Sequence, residues 1–246
     1  MRNALLTLLL LLLLTAAPSC ISYRVSTFPG WRWSGFENPR PPVACSVGVL
    51  PPLDRRGPTV ENGSLSRAFL PFVASATRTI LIPEKLVADA RGAAYGFSPN
   101  AHLQDAIVDE LTANGVFESV VKIGADTQQA APCDLRLEPE LLATRVSLTQ
   151  RTYGLSILAP LAYLFGAPNG KYEVEVSLRT TLRNRKGRVV WRHTFTEAAT
   201  IHDGLYYGRR VDLVRDVVSL LRKGLSETQL RIAGSERVRA HARTST

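Results

Sequence analysis

Apolar and polar residues alternate most cleanly in 171-KYEVEVSLRTTLRN-184, where Tyr172, Val174, Val176 and Leu178 fall on one side of an extended chain and Glu173, Glu175, Ser177 and Arg179 on the other. Period-two alternation predicts a strand with one solvated face. The turn 184-NRKG-187 leads into 188-RVVWRHTFTEAATI-201 and closes a hairpin. Another long strand pattern precedes it, 133-CDLRLEPELLATRVSLTQRT-152. Leu135 and Leu137 alternate with Arg136 and Glu138, Pro139 interrupts, and Leu142, Thr144, Val146 and Leu148 resume the alternation. Proline has no N–H to give to a ladder, so a bend or bulge is expected at 139. Further upstream, the short run Val47 to Leu50, closed by Pro51 and Pro52, reads as a strand buried on both faces.

Two segments carry the helical period instead. In 98-SPNAHLQDAIVDELTANGVFESV-120, Leu103, Ile107, Val108 and Leu111 share one face, Ser98 or Asn100 can cap the start, Pro99 suits a first turn and Gly115 ends it. A strand over Val116 to Ile123 follows directly. In 208-GRRVDLVRDVVSLLRKGLSETQL-230 the apolar stripe is Val211, Val214, Val218, Leu221 and Leu225, with Arg222 and Lys223 late, where the helix dipole favours positive charge. The order strand, helix, four strands, helix predicts an α/β (α+β) sandwich: one mixed, mostly antiparallel sheet with two main helices on one face. It fills a single domain over 43–230. Residues 52–98 resist this reading; 67-RAFLPFVASATRTILIPEKL-86 is apolar without a period and is expected to be loop and short strand over the core.

One stretch fits neither period. In 152-TYGLSILAPLAYLFGAPNG-170 the residues from Gly154 to Ala167 carry no charge. As a helix they would reach about 21 Å, short of a roughly 30 Å hydrocarbon core, and Pro160 interrupts them. The run joins two alternating strands, and its glycines and prolines mark it as loop-like. Two readings remain: a lid packed on its own sheet, or an exposed contact surface for a partner or a membrane through Tyr153, Leu155, Ile157, Leu158, Leu161, Tyr163, Leu164 and Phe165.

The N-terminus bears on that choice. Arg2, the apolar run to Leu14 and the small residues before Cys20 form a secretory signal over 1–19. The ending 16-AAPSC-20 resembles the lipobox of bacterial lipoproteins, which implies lipidation at Cys20. Ala17 and Pro18 depart from that pattern, which prefers leucine three residues before the cysteine. Ile21 stands where an aspartate commonly marks inner-membrane retention, so the resemblance implies the periplasmic face of the outer membrane. Residues 20–42, with four prolines and two tryptophans, read as an extended tether. The arginine-rich end 231–246 reads as a solvated, flexible basic tail.

Net charge is +9. An exported chain rarely meets nucleic acid, so its acidic partners are lipid head groups or other envelope polyanions and no nucleic acid is expected. Beyond Cys20, Cys45 and Cys133 form an even pair in an oxidising compartment, compatible with one disulfide or with two buried thiols. Catalytic chemistry is not legible. His102, His193, His202 and His241 lack metal-ligand spacing, there is no nucleophile elbow or phosphate loop, and Glu138 and Glu140 flank a proline. No enzyme activity, metal or cofactor is expected.

Taken in order, 47-VGVLPPLDRR-56, 109-DELTANGVFESV-120, 134-DLRLEPELLATR-145 and 182-LRNRKGRVVWRH-193 resemble a broad group of bacterial lipoproteins. The group includes relatives of the curli-export channel subunit, the lipoprotein activators of penicillin-binding proteins and the amino-terminal domain of TolB. The resemblance implies a fold and a compartment rather than a reaction. The expected function is therefore that of a non-enzymatic outer-membrane lipoprotein in envelope assembly or transport, acting by binding an envelope protein or by self-assembly. The alternative is an accessory lipoprotein of an envelope transporter that binds lipid or a small molecule in a groove between 67–82 and 152–168.

Overall fold

The computed structural model describes residues 40–57, 61–81, 85–88, 93–96, 99–124, 133–203 and 213–245. Its strands are β1 (Val43–Val49), β2 (Leu53–Asp54), β3 (Glu61–Asn62), β4 (Ser75–Leu81), β5 (Lys85–Ala88), β6 (Ala93–Gly96), β7 (Phe117–Lys122), β8 (Leu135–Arg151), β9 (Gly170–Asn184) and β10 (Val189–Asp203). Its helices are α1 (Pro99–Ala113), α2 (Ala159–Leu164), α3 (Leu213–Ala233) and α4 (Glu236–Ser245). The main sheet is mixed, with central order β10, β9, β8, β1, β7, and β5 with β6 forms a separate hairpin.

β8 is the spine. Along one edge it pairs antiparallel with β9 over nearly its whole length. Its other edge is shared by three strands: β1 and β2 run parallel to its first half, and β4 runs antiparallel to its end, from Leu81 opposite Arg145 to Ser75 opposite Arg151. The segment 52–98, illegible in the sequence, thus supplies β4 and completes the sheet. The parallel neighbour of β1 on its far side is β7, reached through α1 as in any crossover connection.

Pro139 does not bend β8. Leu50 N–H donates to Leu137 O (2.9 Å) and Arg55 N–H to Leu141 O (2.8 Å), so alternate backbone groups 137, 139 and 141 face β1 and β2. Val49 pairs with Leu137 and Leu53 with Glu140. The irregularity falls on the opposing chain at Pro51-Pro52, where the missing N–H of Pro139 interrupts no ladder. The bulge in β8 itself lies between Leu141 and Ala143.

The sheet is α+β in the expected sense, with the two main helices on one face. Leu103, Ile107 and Leu111 of α1 and Val217, Val218, Leu221 and Leu225 of α3 bury against Val47, Val49, Leu135, Leu137, Val174, Val176 and Leu178. Each such side chain contributes roughly 1.5–3 kcal/mol on full burial. Gly224 lets α3 settle onto β10: a Cβ there would lie 2.1 Å from Phe195 Cε2. The opposite face carries ion pairs between neighbouring strands, Arg183 with Glu138 (2.7 Å), Arg179 with Glu140 (3.2 Å) and Arg145 with Glu175 (2.6 Å). The two glutamates beside Pro139 are thereby spent on arginines of β9.

One expectation is corrected. Residues 231–245 are not a flexible tail: α3 runs to Ala233 and α4 follows, with Val238 and Ala242 buried in the core cluster. Arg239 fixes it by donating to Ala233 O (3.0 Å) and Pro41 O (3.1 Å). Valine and alanine four apart form a narrow apolar seam that the surrounding arginines obscure in the sequence. Of the two readings left open for Cys45 and Cys133, the structure has the second: both are buried free thiols. Cys45 shares the core face of β1 with Val43, Val47 and Val49, whereas Cys133 Sγ lies by Gly48, on the other face. Burial, with Asp134 and Glu118 nearby, raises the Cys45 pKa to about 12. Burial on both faces of β1, the other expectation there, applies at Gly48, where Ile123 and Cys133 cover it, while Ala44 is exposed.

Candidate functional site

β8 and β9 leave the sheet together at Arg151 and Gly170, and the uncharged run between them folds as a short 3-10 turn, Ser156–Leu158, followed by α2. A second turn, from Leu65–Phe69 to Ala74, lies against it. Thr152 joins the two. It is fully buried, its Oγ1 lies 2.8 Å from Ala68 O and 2.6 Å from Val73 O, and its N–H donates to Ala74 O (2.8 Å). The Tyr153 N–H shares the same Ala74 carbonyl (3.0 Å). This end of the sheet is therefore one unit made of two chain segments.

Its backbone is strained. Phe72 (φ 65°), Tyr153 (φ 56°) and Ser156 (φ 52°) occupy the left-handed region, and they are the non-glycine residues that do so among those described. Such conformations cost of order 1–3 kcal/mol each and persist where surrounding contacts over-determine them. Here the Thr152 bonds supply those contacts.

The strained turns direct apolar side chains outward. Phe72 is 94% and Phe165 90% exposed, and Leu70, Leu155, Leu158 and Leu164 are each about half exposed or close to it. Of the sequence-predicted contact residues, Tyr153, Leu155, Leu158, Leu161, Leu164 and Phe165 face solvent. The side chain of Ile157 lies outside the described residues. Tyr163 is half-buried: its hydroxyl donates to Arg151 O and accepts from Gln150 Nε2 (3.3 Å), and burial raises its pKa. Tyr153 is exposed but its hydroxyl donates to Pro168 O (2.7 Å). The tyrosine polar ends thus brace the loop, and Ala159, fully covered, roots α2. Of the two readings of the run, the exposed surface describes it better than a lid. Leu70 and Phe72 join this surface; the alternative reading set their stretch, 67–82, beside 152–168, but as one wall of a groove rather than as part of an outward surface.

Elsewhere the structure offers little chemistry. A cavity of about 10 Å³, room for one water, lies between the helices and the sheet and is lined by Ile107, Leu111, Leu137, Thr180, Leu225 and Gln229 among others. It is remote from 67–82 and 152–168. No cluster of potential metal ligands occurs among the described residues, and no helix among them is long and apolar enough to cross a membrane. His193 lies under α3, 3.8 Å from Glu227. Cys20 lies outside the described residues.

No protein-family model matches the chain, and no curated protein matches it. Among solved structures, the chain is similar to a crystal structure of a Xanthomonas campestris protein of the family DUF330, at 15% identity and a TM-score of 0.41, over 92% of this chain and 97% of that one.

Proposed function

We propose that the protein is a non-enzymatic lipoprotein of the outer membrane, held on the periplasmic face by Cys20, that serves envelope assembly or transport by docking through the tip formed by 65–74 and 152–170. The observation that carries this reading is the outward apolar tip: side chains as large as Phe72 and Phe165 stand in solvent on a strained, internally braced loop. Binding elements are disproportionately loops on rigid scaffolds, and the long β8–β9 pair is such a scaffold. The chain enters β1 level with the start of β8, because Val47 pairs with Leu135. The tip at the other end of β8 is roughly 50 Å away at strand rise. A tether from Cys20 therefore joins the domain at the end opposite its contact surface.

Two measurements test the reading. Cys20→Ala should move the protein from the membrane to the soluble fraction; unchanged membrane association refutes the anchor. Leu158→Glu with Leu164→Glu should abolish site-specific crosslinks formed from the tip in intact cells, while stability stays within about 0.5 kcal/mol per site, as for exposed positions. A large loss of stability would mean that these leucines belong to the core.

A further inference from the structure

We propose that the surface the tip docks on is an anionic lipid bilayer; the inference rests on the reading of the tip as the contact surface and names its target. Three observations converge. Apart from Tyr153, whose hydroxyl turns back to Pro168 O, the outward residues are leucines and phenylalanines, including Leu70, Phe72, Leu155, Leu158, Leu164 and Phe165, with no exposed carboxylate or amide among them to fix an orientation. Protein-binding hot spots favour tryptophan, tyrosine and arginine seated in pockets, and leucine is under-represented there, whereas leucine and phenylalanine beside basic residues are the composition of interfacial membrane contacts.

Charge is the second observation. The described segments that build this end, 62–81 and 141–172, contain Arg67, Arg78, Arg145, Arg151 and Lys171 and not one aspartate or glutamate, though Arg145 and Lys171 are engaged by Glu175 and Glu173 of β9. The nearest acids on the sheet are Glu173 and Glu175, paired with Lys171 (2.7 Å) and Arg145 (2.6 Å), Asp203, opposite Gly170 at the end of β10, and Glu61, opposite Ile80, so the basic character of the tip itself rests on Arg67 and Arg151. Arg67 is exposed on the turn that carries Leu70 and Phe72. Each cation close to an anionic surface adds attraction that salt screens.

The third is the backbone. The three left-handed non-glycine residues among those described all belong to the two turns, and one of them is Phe72 itself, the most exposed large hydrophobic side chain described. Strain is retained where it presents the ring outward, and a ring in water gains nothing by that unless an apolar phase receives it.

The test uses the mature exported chain carrying Cys20→Ala, so that no acyl chain contributes. Its remaining thiols, Cys45 and Cys133, are buried. A Phe165→Cys variant therefore takes an environment-sensitive fluorophore at the tip. Vesicles of phosphatidylethanolamine with phosphatidylglycerol should shift its emission to the blue and sediment the protein; phosphatidylcholine vesicles should do neither, and raised salt should release it. Phe72→Ser with Phe165→Ser should lower the vesicle partition coefficient at least about tenfold, and Arg67→Gln should lower it on anionic vesicles, with circular dichroism unchanged. Equal binding to phosphatidylcholine overturns the proposal, as does binding that the tip substitutions leave intact. Absence of vesicle binding together with a protein crosslink from position 165 in intact cells overturns the lipid target but keeps the tip as contact surface. Absence of both overturns the tip reading as well.

Discussion

Thr152 Oγ1 lies 2.8 Å from the carbonyl of Ala68, a residue 84 positions earlier, and this contact makes one surface out of two distant segments. The same oxygen is 2.6 Å from Val73 O, so the hydroxyl stands between carbonyls at both ends of the turn that carries Phe72. Thr152→Val keeps shape and volume but removes the one hydroxyl proton that the carbonyls of Ala68 and Val73 share. It should destabilise the protein by about 1–3 kcal/mol, whereas Thr152→Ser should stay much closer to the parent. Urea titration of the three proteins checks this. Indistinguishable midpoints for valine and threonine would show that the turn is held by its backbone bonds alone.

Gln104 plays a comparable part at the other end. Its Nε2 donates to Val49 O and Ile123 O, both at 2.8 Å, from a side chain that is almost fully buried in α1. One amide thus ties α1 to the ends of two parallel strands. Gln104→Leu should cost about 1–3 kcal/mol for each carbonyl left unpaired. Because those carbonyls end β1 and β7, hydrogen exchange should accelerate at Ile123, whose N–H donates to Val49 O, more than at Val176 in the centre of the sheet. Uniform acceleration would contradict a local role.

These two contacts show what the sequence carried and what it did not. Alternation in 171–184 and the 3.6-residue stripe in 98–115 are local signals that fix element type and inward face, and β9 and α1 follow them. Thr152 and Gln104 look like ordinary polar residues, because their partners are backbone carbonyls brought near only by the assembled sheet. The apolar run at 152–170 was conspicuous, yet its exposure depends on α2 being rooted through buried Ala159 and the tethered hydroxyl of Tyr163, and on β4 filling the edge of β8. Residues 52–98 resisted reading because β2 and β3 are two residues long and β4 sits among threonines and a proline-flanked apolar run, too short and too mixed for a period to emerge. At the C-terminus the arginines concealed a seam of two small apolar residues.

The contact of α3 with β10 is close enough that a methyl group cannot enter. At Gly224 a Cβ would meet Phe195 Cε2 at 2.1 Å and Cδ2 at 2.3 Å. Alanine improves helix propensity by about 1 kcal/mol in a helix interior, but overpacking costs typically 1–3 kcal/mol. Gly224→Ala should therefore be net destabilising, and Phe195→Leu should cost less in the Gly224→Ala background than in the parent. A double-mutant cycle measures that coupling; additive effects would mean that the ring simply swings aside.

His193 makes stability depend on pH in a window separate from that of the carboxylates. It faces α3 from β10, beside the Trp191 ring at 5.9 Å. Burial lowers its pKa from the ordinary 6.5, the Arg231 guanidinium lowers it further, and Glu227 pulls it back up. Glu227 is itself held by Arg231, whose Nε donates to Glu227 Oε1 at 2.8 Å, so it does not offset the arginine and burial together. With the folded pKa below the unfolded one, the unfolded chain binds the proton more readily. The contribution of neutral His193 is then fully present above pH 6.5 and is lost as pH falls from 6.5 through the folded value. Asp134 acts lower: two hydrogen bonds from Ser46 and the charge of Arg185 outweigh its burial and depress its pKa below 3.8, so its contribution is lost only in stronger acid. His193→Gln should flatten the stability profile just below pH 6.5 and leave the acid limb in place. Arg231→Gln removes a repelling cation and frees Glu227 at once, so the His193 pKa should rise in a titration followed by nuclear magnetic resonance. A fall would show that the arginine acts on the histidine by covering it rather than by charge.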